Sequence, residues 1–138
     1  FRRVLFRSRL AKPEADEVYG ASLKLLGEAM TAHPDLVSGT GRSDADLMRV
    51  GRGDWVSKVG ADGVQVIGSR SRGQALALKI ADGNKPALFA ATIEALDQLG
   101  WLDDKQREEL MPWRAQTLKN IKGLNVGERR PIFNIQTI

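Results

Sequence analysis

Three short runs of β-favouring residues occupy the middle of the chain: 55–59 (Trp-Val-Ser-Lys-Val), 64–67 (Val-Gln-Val-Ile) and 75–80 (Ala-Leu-Ala-Leu-Lys-Ile). They are separated by Asp62-Gly63 and by Ser69-Arg70-Ser71-Arg72-Gly73. Both separators are hairpin chemistry, because glycine takes positive φ at no steric cost. The runs are expected to pair as an antiparallel meander.

Helical patterns flank the meander. Residues 13–30 predict a helix, with Pro13 in the first turn, Glu14, Asp16 and Glu17 at its positive end, and Val18, Ser22, Leu25, Leu26, Ala29 and Met30 at helical spacing. His33-Pro34 ends it, since a residue before proline is pushed away from helical angles. Residues 35–42 are expected to form a glycine-bearing loop, and Ser43 to cap a short helix over 44–50 that buries Leu47 and Met48. Residues 85–99 predict a helix with Pro86 in the first turn, Phe89, Ile93 and Leu96 on one stripe and Gly100 as the stop. It should lie across the meander. Asp103 with Gln106 is a capping box opening a short helix that Pro112 is expected to close, with Trp101 and Trp113 as packing anchors. Residues 117–126 read as a loop or weak strand pair around Gly123, and fraying is expected beyond Pro131. The predicted fold class is α+β, an antiparallel β-meander flanked by helices.

Composition narrows the chemistry. At 138 residues, 42% hydrophobic and 28% charged, the chain fits one domain. No cysteine is present, which removes disulfides, thiolate metal sites and cysteine nucleophiles together. His33 is the only histidine, so no histidine pair can form within the chain. The longest apolar run, 87–91, is too short to span a bilayer, so no membrane association is expected and the location is read as cytoplasmic. The net charge is +4, but Arg2, Arg3 and Arg7 supply three of those charges, leaving +1 for the rest. Nucleic acid is therefore not an expected partner. Val4-Leu5-Phe6-Arg7-Ser8 is also what GTG-CTC-TTC-CGA-TCT encodes, which resembles a sequencing adapter, so residues 1–8 are expected to be a non-native tail.

Among candidate site residues, Lys58 stands out near the end of the first strand, where a rigid ladder would hold its amine. Arg42, behind the glycine-bearing loop, can clamp a carboxylate through two parallel hydrogen bonds, or make a surface salt bridge. His33 is either a satisfied helix-end residue or a substrate contact. Gly39-Thr40-Gly41 lacks the third glycine and the lysine of a phosphate loop.

Taken together, residues 33–42 (HPDLVSGTGR), 57–64 (SKVGADGV), 78–85 (LKIADGNK), the helix end at 93–102 and Val126-Gly127-Glu128 resemble the asparaginase II family, the class 3 L-asparaginases, collinearly from about Pro13 to Pro131. The resemblance implies the C-terminal part of a serine β-lactamase/glutaminase-like fold, with residues 9–138 as the C-terminal region of a longer domain. It also implies hydrolysis of the L-asparagine side-chain amide to aspartate and ammonia through two serine-lysine pairs. No Ser-x-x-Lys occurs here. The lysine of the second pair corresponds to Lys58 in Lys58-Val59-Gly60, so the chain is expected to be an incomplete fragment, inactive alone. A zinc held by cysteines is implied only through upstream ligands, with no cofactor in this chain. A homodimer is implied for the full-length protein.

The chemistry stands beside the resemblance. A serine hydroxyl needs a base within hydrogen-bond reach, and a lysine serves if it is neutral part of the time. Burial and a second lysine both push an amine that way. Gly60 would let substrate approach the strand, and the Ala61 N–H would donate to the oxyanion, by analogy with the β-lactamase-like arrangement. Asp62 departs from the family's usual glutamate, which favours a turn role. Two other readings stand: a penicillin-recognising serine acyl-enzyme sharing the Lys-x-Gly strand, and an anion-binding module supported by the charge alone.

Overall fold

The computed structural model describes residues 8–136. Residues 1–7 of the expected tail lie outside the described residues. Two 3-10 turns, Arg9–Ala11 and Pro13–Ala15, lead into α1 (Gly20–Ala32), α2 (Pro34–Ser38) and α3 (Ser43–Val50). Strands β1 (Trp55–Gly60), β2 (Val64–Ser69) and β3 (Gln74–Lys79) follow. Next come α4 (Lys85–Gln98), α5 (Asp104–Arg114) and a hairpin of β4 (Gln116–Lys119) and β5 (Asn125–Arg129). The expected α+β arrangement is present: an antiparallel meander in the order β1-β2-β3, plus a separate two-stranded sheet.

The β1–β2 turn shows why Asp-Gly stands there. Asp62 and Gly63 both take left-handed backbone, at φ 56° and 70°. A Cβ on Gly63 would fall 2.9 Å from the Gly83 Cα, and the Gly63 carbonyl accepts the Ile80 N–H at 2.9 Å. The turn is thereby fastened to the chain leaving β3.

Register sorts the side chains. Trp55 pairs with Ser69, Ser57 with Ile67 and Val59 with Gln65, so these residues share one face, while Val56, Lys58, Val66 and Gly68 share the other. The first face carries the larger core, in which Trp55 and Ile67 pack with Leu47 and Val50 of α3, Ile93 and Leu96 of α4, and Leu110 of α5. On the second face, Val56 packs with Leu10 and Leu23, and a Cβ on Gly68 would meet the Ala11 Cβ at 3.1 Å. Both faces are thus covered over most of β1 and β2, while β3 stays largely exposed, and β1 is one open edge of the sheet.

Several boundaries differ from expectation, each for a local reason. The first helix starts at Gly20, because Asp16 turns extended and its Oδ1 accepts the Val18 and Tyr19 N–H groups, making a turn where helix was predicted. Its buried positions are Leu23 and Gly27, and Val18, Leu25 and Leu26 face solvent. Part of the predicted 35–42 loop is helical, as α2. Ser43 is inside α3 and buried, with Arg42 as the residue before the helix and no side-chain cap. Pro112 does not close α5: the last turn runs past it to Arg114, held by Trp113 Nε1 donating to Asp46 at 2.9 Å and by Arg114 on Glu94. Beyond Pro131 the chain is tied to Gln98, which donates to the Phe133 carbonyl and accepts the Ile135 N–H. The caps at Asp103–Gln106 and Asn84 form as predicted.

Gly51, between α3 and β1, tests the packing of this frame. Its φ of −69° is ordinary, but a Cβ there would lie 2.6 Å from the Trp55 Cβ. Gly51→Ala is expected to cost roughly 1–3 kcal/mol by overpacking, read as a lower urea midpoint. An unchanged midpoint would mean that Trp55 gives way freely.

Candidate active site

The open edge of β1 is capped by a side chain. Asp44, in the first turn of α3, is fully buried at 0% exposure, and Leu47 and Met48 one turn on anchor that side of the helix in the core. Its Oδ1 accepts the Ser57 hydroxyl at 2.7 Å and Gln65 Nε2 at 2.9 Å. Its Oδ2 accepts the Val59 N–H at 2.7 Å and lies 3.5 Å from Lys58 Nζ. Gln65 Nε2 also donates to Ser57 Oγ at 2.9 Å, and Ser57 and Gln65 are themselves fully buried. A buried carboxylate is tolerated only when its lone pairs are engaged, and three hydrogen-bond donors and the Lys58 ion pair engage this one.

Lys58 starts on the opposite face of the sheet from Ser57 and Gln65. Because β1 is the edge, its side chain rounds the strand, places Nζ beside Asp44 and donates to the Val59 carbonyl at 2.9 Å. Its side chain is 34% exposed, so the amine is fixed yet reachable.

The amine opens on a cleft of about 300 Å³. Arg42, Ser43 and Asp44 form one wall, Val37, Ser38 and Gly41 another, and Lys85, Phe89 and Trp113 close the far side against Lys58 and Val59. The walls are braced from behind. Arg49 joins α2 to α3 by donating to Asp35 at 2.5 Å and to Asp46 at 2.9 Å, and the Asp35 hydrogen bond raises the guanidinium above its ordinary pKa. Asp46 also accepts Trp113 Nε1, and Trp113 meets Phe89 edge to face with centroids 5.1 Å apart. A larger, more open depression of about 570 Å³ lies between the Pro13–Ala15 turn, α1 and Arg70, where the nearly buried Asp16 carboxylate accepts the Val18 and Tyr19 N–H groups and pairs with Arg9.

Of the residues singled out from sequence, Lys58 and Arg42 meet in this cleft. His33 is exposed between α1 and α2, Gly60 ends β1 and Ala61 is exposed in the hairpin turn, and none of the three lines the cleft. Lys58 Nζ is met by the Asp44 carboxylate, and Lys85 lines the same cleft. Asp44, Ser57, Gln65 and Lys85 were not singled out as site residues from the sequence, and Phe89 and Trp113 were read only as packing residues. The available signal was polar Ser57 and Gln65 on the strand face shared with Trp55 and Ile67, since a polar group on a core face demands a partner.

The residues present do not fit a zinc site. Among the described residues no group of three or more His, Cys, Asp or Glu could hold a metal, and Asp44 is already saturated. No helix among them is long and apolar enough to cross a membrane.

A family model described as L-asparaginase II matches residues 4–131 of the chain. No curated protein matches it.

The network predicts its own energetics. Asp44→Ala leaves buried donors unpaired and is expected to cost roughly 3–5 kcal/mol. Asp44→Asn, which keeps the shape and one acceptor oxygen, should cost roughly 1–3 kcal/mol. Chemical denaturation of both variants checks this, and a wild-type midpoint for Asp44→Ala would show that the network contributes nothing.

Proposed function

The chain belongs to the L-asparaginase II family, and on that premise we propose that its cleft is the lysine side of an amidohydrolase site acting on L-asparagine. Family membership supports an asparaginase-type hydrolase in general. The finer reading rests on one observation: a reachable lysine amine is held beside a fully buried carboxylate at a cleft that also carries an arginine.

In this reading Lys58 takes the proton of a serine hydroxyl as that oxygen attacks the side-chain amide carbon, then passes it to the departing ammonia. Asp44 orients that amine toward the cleft, as the carboxylate of a Ser-His-Asp triad orients its imidazole. Arg42 receives the substrate α-carboxylate through two parallel hydrogen bonds. The Ala61 N–H, past Gly60 on the same strand edge, is the oxyanion donor of the proposal, by analogy. His33 takes no part.

The hydroxyl is assigned to residues other than these 138. Ser57 is fully buried and already donates to Asp44, while Ser38 donates to the Pro34 carbonyl and Ser43 is buried. None of them hydrogen-bonds Lys58.

Ammonia release from L-asparagine tests the assignment in two arms. The 138-residue chain by itself is expected to release none, and measurable release would contradict an external hydroxyl. In an enzyme that also contains the hydroxyl-bearing segment, Lys58→Ala is expected to lower kcat by about 100-fold or more. Wild-type kcat would remove Lys58 from the mechanism.

A further inference from the structure

Most basic side chains beside the cleft's supporting helices are spoken for: Arg49 lies on Asp35 and Asp46, Arg107 on Asp97, and Arg114 on Glu94. Two that line the cleft are not. Arg42 and Lys85 make no side-chain hydrogen bond or ion pair with any described residue. With Lys58 they place three basic side chains on a cleft whose single carboxylate among the described residues, Asp44, is buried and saturated. Two positive charges, on Arg42 and Lys85, are left without a counter-charge among the described residues.

The three basic residues enter from separate elements: Arg42 from the residue before α3, Lys58 from β1 and Lys85 from the start of α4. Between them stand the apolar walls of Val59, Phe89 and Trp113. A compact anion such as phosphate would leave those walls uncovered. A short carbon chain with a carboxylate at each end satisfies both features, covering apolar surface along its length and carrying charge to two cations.

We propose that the cleft prefers a short dicarboxylate over the neutral amino-acid amide, Lys85 holding the second carboxylate. L-Aspartate and its unaminated analogue succinate then bind more tightly than L-asparagine. Identifying this dianion with the reaction's own product rests on the amidohydrolase reading above; the charge argument does not. The consequence for that reading is an enzyme held back by its product, because hydrolysis turns a neutral side-chain amide into the charged group that Lys85 attracts.

Isothermal titration of the full 138-residue chain at low salt, with succinate, L-aspartate, L-asparagine and inorganic phosphate as probes, decides it. The expected result is a succinate Kd at least about tenfold below that of L-asparagine, an advantage that shrinks when ionic strength rises well above about 0.1 M. Lys85→Ala should bring the two ligands to similar affinity, and because Lys85 is exposed and unpaired, the variant's melting point should stay at the wild-type value. Succinate binding no better than L-asparagine would overturn the preference while leaving the substrate reading intact. A preference that survived Lys85→Ala would overturn the assignment of the second carboxylate. Phosphate binding as tightly as succinate would reduce the site to a general anion sink and overturn the dicarboxylate reading. Failure of every probe would sink both this inference and the use of this cleft for L-asparagine.

Discussion

A carboxylate at 0% exposure is among the most expensive groups a small domain can bury, and Asp44 is tolerated because Ser57, Gln65, the Val59 N–H and Lys58 all point at it. That constraint acts in both directions. It obliges α3 to dock with its first turn against the edge of β1, and it obliges β1 and β2 to carry polar side chains on a face otherwise given to Trp55 and Ile67. It also occupies an N–H on an edge strand, the kind of group that would otherwise be free to pair with another chain. The site is thus a by-product of the same contact that joins helix to sheet.

Geometry at the edge explains how one lysine can be both ordered and available. Alternation would send Lys58 toward the smaller core formed by Leu10, Leu23 and Val56. A central strand would have kept it there. On the edge, its long aliphatic stem can round the strand and deliver the amine to Asp44, as lysines do when an apolar stem lies along a surface and the charge seeks a polar end. Behind the cleft, Asp46 plays a quieter part by accepting from both Arg49 and Trp113, so that the loop carrying Arg42 and the aromatic wall are referred to one helix.

Much of this frame could be read from the chain. The meander, its Asp62-Gly63 turn, the Asn84 and Asp103 caps and the stripe of Ile93 and Leu96 follow from local chemistry, and local chemistry decided them. Errors came where distant groups intervened. Pro112 is a sound stop signal by propensity, yet Asp46 and Glu94 hold the turn beyond it. Asp16 resembled a helix-favouring acid until its own side chain competed for the backbone N–H groups. Lys58 and Arg42 could be picked out from a strand end and from behind a glycine-bearing loop, whereas Asp44 entered only as the first residue of a short helix. Its importance depends on residues 13 and 21 positions away that only the folded chain brings to it.

Native-state hydrogen exchange at the Val59 amide examines the Asp44 contact most directly, because this N–H donates to a side chain on another element instead of to a strand. The account predicts protection in the wild-type chain comparable to the paired amides of β2, and a selective collapse of that protection, by about a hundredfold or more, when Asp44 is replaced by serine. Rapid exchange at Val59 in the wild type, or protection indifferent to the replacement, would mean that the carboxylate does not hold the strand edge and that Lys58 is not positioned by it.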